Sequence, residues 1–232
     1  GLFFGCFAEG SAQYWNKVTL PAGYANNYWL DIFFLPGNTQ LGWACGFNSS
    51  VVRTTDGGNT WTGVKVTLAQ NPMLESIHFV SSQIGFTSGP QGIWKSIDGA
   101  SSSGVIWQST NAGQTWSVFS RSNSFNAWQE EIAWLGNSFL VPWSGMACQG
   151  GGGGGGMCFT TNKGQSWNRV AAPDNLFGTY LTSSTTGWAC GYDRSVYYTS
   201  NAGLTWEYRN CGTTESLDDI RMFSDTSGWV VG

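Results

Sequence analysis

The hydrophobic positions of the chain fall into short runs that are separated by glycine and small polar residues. One kind of run contains spaced Leu, Ile and Phe residues and occurs at residues 30–34, 76–80, 131–134 and 217–223. A second kind opens with glycine and a large apolar residue, at residues 42–46, 85–89, 145–148, 187–191 and 228–232. Short apolar runs bounded by turn residues predict β-strands rather than helices.

A third phrase has eight residues and occurs four times, at residues 54–61, 109–116, 160–167 and 199–206, with the form Ser/Thr-x-Asp/Asn-x-Gly-x-Ser/Thr-Trp. The Asp or Asn side chain accepts hydrogen bonds from nearby backbone N–H groups, Gly permits a positive φ, and Trp supplies a large surface to bury. Asn can replace Asp because its amide oxygen is also an acceptor. The phrase predicts a structural turn built by Asp56, Gly58, Trp61, Asn111, Gly113, Trp116, Asn162, Gly164, Trp167, Asn201, Gly203 and Trp206.

The three phrases follow one another in a fixed order and define a unit of four strands, which we label A to D. Strand A is the Leu/Ile/Phe run, strand B the glycine run, strand C leads into the eight-residue phrase, and strand D follows its Trp. The opening glycines of strand B lie 43 residues apart for Gly42 and Gly85, and 41 apart for Gly187 and Gly228. Four short strands in such a period predict an all-β fold, a β-propeller of four-stranded antiparallel blades.

The combination of phrases resembles the Asp-box (BNR) repeat, and it looks most like the photosystem II stability and assembly factor family of propellers. The resemblance covers about residues 14–232 and implies an exported scaffold that holds a partner protein. Sialidase, sortilin and xyloglucan hydrolase propellers are similar through the Asp box alone. The basic surface patch of the assembly factor family is not reproduced, because Arg53 has Gln108, Phe159 and Tyr198 as its counterparts in the other blades.

The two ends of the chain predict a fragment of a larger ring. Residues 14–21 match residues 166–173, so the propeller opens with a D strand, and the chain stops after strands A and B of a fifth blade. We expect four complete blades and part of a fifth, from a ring of six to eight blades whose remaining blades belong to the same chain. A closed four-bladed ring is the alternative. Residues 1–12 are predicted to be the remnant of a secretory signal peptide cleaved after Ala12, and residues 13–232 the propeller.

Composition limits the kinds of partner and cofactor that the chain is expected to bind. Charged residues make up 10% of the chain and the net charge is −4, so no basic stripe is available to bind nucleic acid. No apolar stretch reaches the length of a membrane span. The six cysteines show no metal-binding spacing, so neither a metal nor another cofactor is predicted. The predicted location is secreted, periplasmic or at the cell surface.

The two faces of the predicted propeller differ in function. The A–B and C–D turns lie on one side, here called the Asp-box face, and the B–C and D–A connections lie on the other, here called the B–C face. The longest insertions fall in B–C connections, where binding usually occurs. The predicted ligand-binding residues on the B–C face are Phe47, Asn48, Trp94, Asp98, Arg121, Tyr192, Asp193, Arg194 and Arg209. A Cys148–Cys158 disulfide is possible, whereas Cys45 and Cys190 are predicted to be buried thiols.

These features predict a module that binds a protein or a glycan rather than an enzyme. The alternative is an extracellular glycoside hydrolase, for which paired carboxylates on the A strands are the weak catalytic candidates: Asp31, Glu131 and Asp219. The arginine motif that sialidases use near their start is missing. His78 is the sole histidine, and without a nearby nucleophile or metal cluster it is predicted to be structural.

Overall fold

A computed structural model describes residues 3–4, 16–66, 73–90, 104–120, 128–135, 145–150, 155–162, 165–172 and 174–232. Twenty strands and no helix are present in these ranges. The prediction of an all-β chain is therefore confirmed. None of the described residues forms a helix that could cross a membrane.

Four antiparallel sheets of four strands follow one another in chain order, as the repeat predicted. Blade 1 contains β3 (Trp29–Phe34), β4 (Gly42–Gly46), β5 (Ser50–Thr54) and β6 (Thr62–Lys65). Blade 2 contains β7 (Ser76–Phe79), β8 (Gly85–Pro90), β9 (Gly104–Ser109) and β10 (Ser117–Ser120). Blade 3 contains β11 (Trp128–Trp134), β12 (Gly145–Gly150), β13 (Gly156–Thr160) and β14 (Asn168–Ala171). Blade 4 contains β15 (Leu176–Leu181), β16 (Gly187–Gly191), β17 (Val196–Thr199) and β18 (Glu207–Arg209).

Two smaller sheets flank these blades in the sequence. Strands β19 (Asp219–Ser224) and β20 (Ser227–Val231) pair as the A and B strands of blade 5. Strand β1 (Phe3–Phe4) pairs with β2 (Asn16–Lys17), and β2 lies in the segment that was predicted to be a D strand. The assignment of residues 1–12 to a signal peptide stays a prediction.

The A strands of successive blades contact one another, β3 with β7, β7 with β11, β11 with β15 and β15 with β19. This is the inner ring of a propeller, with strands C and D of each blade further out. The hydrophobic core lies between neighbouring sheets. Trp43 of β4 is fully buried and stacks on Phe79 of β7 with ring centroids 3.6 Å apart. Its Nε1 donates to the carbonyl of Ala112, in the C–D turn of blade 2, over 3.0 Å.

The C–D turns fold in the way the eight-residue phrase requires. In blade 1, Asp56 Oδ1 accepts hydrogen bonds from Thr54 Oγ1 and from the backbone N–H of Thr60, each over 2.8 Å. In blade 2, Asn111 Oδ1 accepts from Thr115 N over 2.9 Å, while its Nδ2 donates to Thr115 Oγ1 over 2.8 Å. The turns of Asn162 and Asn201 repeat this arrangement. Gly164 lies outside the described residues.

The cysteine predictions have different outcomes. Cys45 and Cys190 are fully buried thiols without a disulfide, as predicted. The register of β12 and β13 places Ala147, and not Cys148, opposite Cys158. The side chain of Cys148 lies outside the described part of the chain, so the Cys148–Cys158 disulfide stays a prediction.

Candidate functional site

The A strands share one equivalent position on the inner ring, which carries a polar side chain in four of the five blades. Sheet register makes Asp31, Ser76, Glu131, Gly178 and Asp219 equivalent in blades 1 to 5. Each A strand is the inner edge strand of its sheet, so the backbone N–H groups on that edge need acceptors from outside the sheet. We call these five residues the inner-ring position.

Three members of the inner-ring position accept hydrogen bonds from the next blade. Asp31 Oδ2 accepts from the backbone N–H of Ile77 over 2.8 Å and from Ser76 Oγ over 3.1 Å. Ser76 Oγ in turn accepts from the N–H of Ile132 over 3.3 Å. Glu131 Oε2 accepts from the N–H of Thr179. Each link joins blade n to the strand edge of blade n+1, so these side chains connect blades 1 to 4.

Blade 5 joins this system through an arginine. Arg221 Nη1 lies 2.9 Å from Glu131 Oε1 and 2.9 Å from Asp219 Oδ1. Burial lowers the pKa of Arg221, but the charges of Glu131 and Asp219 more than offset this effect and the pKa rises. The sequence pattern did not single out Arg221, because its partner Glu131 is 90 residues away along the chain.

Burial disfavours the ionised form of the inner-ring carboxylates and raises their pKa values. It raises the pKa of Glu131 to about 8 despite the opposing charge of Arg221, and it raises the pKa of Asp31 despite the hydrogen bond from Ile77. The pKa of Asp219 is also raised by burial, with Arg221 acting against the rise. A buried carboxylate loses its hydration, and the neutral form is then favoured.

A cavity of about 370 Å³ runs along the A strands. Its polar lining includes Asp31, Glu131 and Arg221, and its wall continues through Trp134 to Pro36 and Leu135, which follow the A strands. The cavity therefore extends towards the A–B turns on the Asp-box face, not towards the predicted B–C face. Asp31 and Glu131 both line it, and Asp219 contacts its edge through Arg221.

His78 also lines this cavity, and its environment keeps the imidazole neutral. Burial lowers the pKa of His78 to about 3, and the positive charge of Arg221 acts in the same direction. Its ring lies 4.5 Å from the ring of Phe33, measured between centroids. A neutral, packed imidazole agrees with a structural role.

The carboxylates that line the cavity are all engaged in hydrogen bonds. Both oxygens of Asp31 accept backbone hydrogen bonds, since Oδ1 accepts from Ile32 N over 2.7 Å, and both oxygens of Glu131 are engaged. Among the described residues, no cluster of His, Cys, Asp and Glu is arranged to hold a metal ion. The candidate catalytic residues thus bind backbone N–H groups or Arg221 and hold neighbouring blades together. Their geometry gives no support to the hydrolase alternative.

The B–C face presents two tight turns from blades 1 and 4. Asn48 and Ser49 have φ values of 56° and 52°, and the N–H of Ser50 donates to Phe47 O over 3.2 Å. Asp193 and Arg194 have φ values of 51° and 56°, and the N–H of Ser195 donates to Tyr192 O over 3.0 Å. Both are two-residue hairpin turns with left-handed central residues, a geometry that matches the twist of the strands.

Each of these turns starts with an aromatic residue that packs against a second ring. Phe47 contacts Tyr28 with ring centroids 5.4 Å apart, and Tyr192 contacts Phe177 with centroids 4.7 Å apart. Tyr28 is 73% exposed and Tyr192 48%. Tyr28 and Phe177 lie at the start of their A strands and were missed, because no repeated phrase marks them.

The other predicted binding residues are spread further apart. Arg209 ends strand β18, pairs with Glu207 over 2.6 Å and places its guanidinium 5.3 Å from the centre of the Tyr198 ring. Trp94, Asp98 and Arg121 lie outside the described residues. The described part of the B–C face includes two aromatic pairs, with Asn48, Asp193 and Arg194 exposed beside them.

Comparison with known proteins supports the fold and identifies a family. The sequence model of the photosynthesis system II assembly factor YCF48 matches residues 7–123, half of the chain. No curated protein sequence matches.

Solved structures with TM-scores of 0.60 and above show the same fold. YCF48 from Cyanidioschyzon merolae superposes with a TM-score of 0.63 at 16% identity, covering 94% of this chain and 68% of that one. An ancestral GH74 enzyme gives a TM-score of 0.60 at 16% identity, covering 84% of this chain and 26% of that one. A structure described as YCF48 bound to D1 peptide gives 0.45 at 14% identity, with 89% of both chains covered.

Proposed function

The chain belongs to the photosynthesis system II assembly factor YCF48 family, and from this premise we propose that it is an exported propeller that binds a protein partner through its B–C face. The match over residues 7–123 is the observation that carries the proposal. An assembly factor acts by holding other proteins, and a rigid propeller with exposed turns is suited to that task.

The family supports a proposal about the nature of the ligand. One YCF48 structure is described as bound to D1 peptide, so a member of the family holds a peptide. Family membership, and not the low TM-score of that structure, carries this step. We therefore prefer a peptide segment of a protein to a glycan as the ligand of this chain.

The exposed aromatic residues support the B–C face as the contact surface. Tyr residues are enriched in protein interfaces because they add contact area at a low cost in conformational entropy. Tyr28 and Tyr192 are each held in place by a second ring, so little side-chain freedom is lost when a partner binds. The adjoining Asp193 and Arg194 supply both signs of charge for polar contacts at the rim.

A site-specific crosslink tests the proposed surface. The photoreactive amino acid benzoylphenylalanine is placed at Tyr192 and, in a control variant, at Leu204, which is 66% exposed in the C–D turn of blade 4. Irradiation of cells that make the full protein should join a protein partner to position 192 and not to position 204. Partner capture at position 204 alone would move the contact surface to the Asp-box face.

Binding energetics provide a second test on the same surface. A peptide recovered from the crosslink should bind a Tyr28→Ala, Tyr192→Ala double variant at least about tenfold more weakly than the parent chain, since each residue is an interface aromatic. The Leu204→Ala variant should bind as the parent does. A glycan as the crosslinked species would overturn the choice of a protein ligand.

Export is a separate part of the proposal and has its own measurement. The small residues Gly10, Ser11 and Ala12 after an apolar stretch support a cleavable signal peptide. The intact mass of the protein from its native cell should correspond to a chain that starts at residue 13. Retention of residues 1–12 would reject the cleavage.

A further inference from the structure

A polar groove lies between blades 1 and 2 on the Asp-box face, away from the inner ring and from the B–C turns. Its volume is about 400 Å³. Strands β5 and β6 of blade 1 form one wall, and the C–D turn of blade 2 forms the other. The groove is lined by one cationic, three hydroxyl, one amide and one apolar side chain together with a glycine: Arg53, Thr55, Thr60, Thr62, Gln114, Val64 and Gly113.

Arg53 is the unusual member of this lining. Its side chain makes no hydrogen bond and no ion pair within the residues that the structure describes, and its Nε is buried without a partner. A guanidinium carries five N–H donors and stays charged at any physiological pH. Leaving such a donor buried and unsatisfied costs free energy, and an anion that pairs with the guanidinium where the side chain lines the groove would offset part of that cost.

Architecture does not require an arginine at this position. Register makes Arg53 equivalent to Gln108, Phe159 and Tyr198 in the other blades. In blade 3 the place is filled by Phe159, which is 1% exposed and packs against Gly203 of the following C–D turn. An apolar side chain therefore occupies this position in blade 3, whereas Arg53 places a charged group at it in blade 1.

The acidic residue nearest to Arg53 in the sequence, Asp56, already accepts hydrogen bonds within its own C–D turn. Asp56 accepts hydrogen bonds from Thr54 Oγ1, Thr60 N and Thr60 Oγ1, the last over 2.5 Å. These bonds lower the pKa of Asp56. It forms no ion pair with Arg53 among the described residues, and its charge disfavours ligands that carry two negative charges.

The chemistry of the groove selects a single planar anion. One guanidinium matches the two oxygens of one carboxylate, whereas a dianionic phosphate would need a second cation, and Arg53 is the one cation in the lining. Hydroxyl groups of Thr55 and Thr62 and the amide of Gln114 can donate to the same oxygens. We propose that this groove binds the carboxylate of an Asp or Glu side chain of a peptide or protein on the Asp-box face. The proposal does not depend on the B–C face.

The test follows the arginine side chain directly. The Nε–H resonance of Arg53, assigned by its loss in an Arg53→Gln variant, is monitored by NMR while the whole chain is titrated with the capped peptide acetyl-Gly-Glu-Gly-amide. We expect a saturable shift of that resonance with the Glu peptide and none with acetyl-Gly-Gln-Gly-amide. Phosphate is titrated in a separate arm, and the Glu peptide should bind more tightly.

Matched variants separate the site from general charge effects. Arg53→Gln places the residue of blade 2 at this position. It should weaken binding of the Glu peptide by at least about tenfold, as followed on the backbone amide resonances of Gly113 and Gln114 in the groove wall. Lys17→Gln removes an equal charge at an exposed position outside the groove and should leave the affinity unchanged. Unchanged binding in Arg53→Gln, with a melting temperature equal to that of the parent chain, would overturn the proposal. Tighter binding of phosphate than of the Glu peptide would overturn the ligand class.

Discussion

At the scale of single residues, the inner-ring carboxylates illustrate how one pattern can serve two purposes. Acids at equivalent positions beside a channel are typical of a hydrolase and also of side chains that satisfy an exposed strand edge. Asp31 and Glu131 accept backbone N–H bonds from the following blade, and Asp219 pairs with Arg221. Burial raises their pKa values, which makes the ring sensitive to pH.

Glu131 should make the free energy of unfolding fall as pH rises from 7 to 8. Its pKa is about 8 in the folded chain and near 4.5 when exposed, so the folded state holds a proton in this window that the unfolded state has lost. One proton accounts for a slope of at most about 1.4 kcal/mol per pH unit. Urea titrations at pH 7 and pH 8 measure the difference.

The Glu131→Gln variant is the control for this prediction. Gln cannot titrate but keeps an oxygen for the Thr179 N–H, so the decline between pH 7 and pH 8 should become shallower. The remaining decline comes from Glu75, whose pKa burial raises to about 7. His78 acts weakly in the opposite direction, because its pKa is lowered to about 3 in the folded chain, whereas a minor fraction of the exposed imidazole is still protonated at pH 7. An equal decline in both proteins would assign the effect to another group.

At the scale of the element, the Asp-box turn depends on an acceptor rather than on a charge. Asp56 and Asn111 accept the same backbone bond, from Thr60 N and Thr115 N respectively. The amide of Asn111 adds a bond from its own Nδ2 to Thr115 Oγ1, where Asp56 accepts from Thr60 Oγ1. The Thr hydroxyl is thus a donor to Asp56 and an acceptor from Asn111, and the turn keeps the same shape.

Substitutions at Asp56 should separate the acceptor from the charge. Asp56→Asn should change the free energy of unfolding by less than about 0.5 kcal/mol, because the other blades use Asn. Asp56→Ala should lower it by more than Asp56→Asn does, since the N–H of Thr60 and the hydroxyl of Thr54 both lose their acceptor. Thermal or urea unfolding at neutral pH measures both. A large loss in Asp56→Asn would mean that the charge itself stabilises the turn.

The elements could be predicted from the sequence because each blade repeats the same local rules. Strand order, the eight-residue turn and the partial fifth blade all follow from phrases that lie within about 40 residues of one another. The Glu131–Arg221 pair could not be predicted, because it joins residues far apart in sequence. Tyr28 and Phe177 were also missed, since exposed aromatic residues outside the repeated phrases carry no periodic signal.

At the scale of the whole molecule, apolar contacts between neighbouring blades stabilise the propeller. The large residue of strand B packs into the next blade, as Trp43 does on Phe79 and as Phe86 does on Trp134, with centroids 4.5 Å apart. Leu204, in the C–D turn of blade 4, is 66% exposed. Two large apolar residues of the propeller thus have different environments.

This difference predicts unequal costs for substitution by alanine. Trp43→Ala should lower the free energy of unfolding by about 3–5 kcal/mol, because a fully buried ring and its contact with Phe79 are lost. Leu204→Ala in the same chain should change it by less than about 0.5 kcal/mol. Denaturant unfolding of the two variants measures the contrast, and equal losses would contradict the environments described.

The inner-ring links also predict where the propeller opens when a single link is removed. Asp31 holds the Ile77 N–H in β7, and Glu131 holds the Thr179 N–H in β15. Amide hydrogen exchange is slow only while an N–H keeps its acceptor. Asp31→Ala should therefore speed exchange in the peptide that covers β7 and leave β15 unchanged, whereas Glu131→Ala should do the reverse.

Mass spectrometry of both variants provides the comparison, with each variant serving as the control for the other. Faster exchange in every blade of either variant would mean that the ring opens as one cooperative unit, and that the carboxylates do not act as separate links between neighbouring blades.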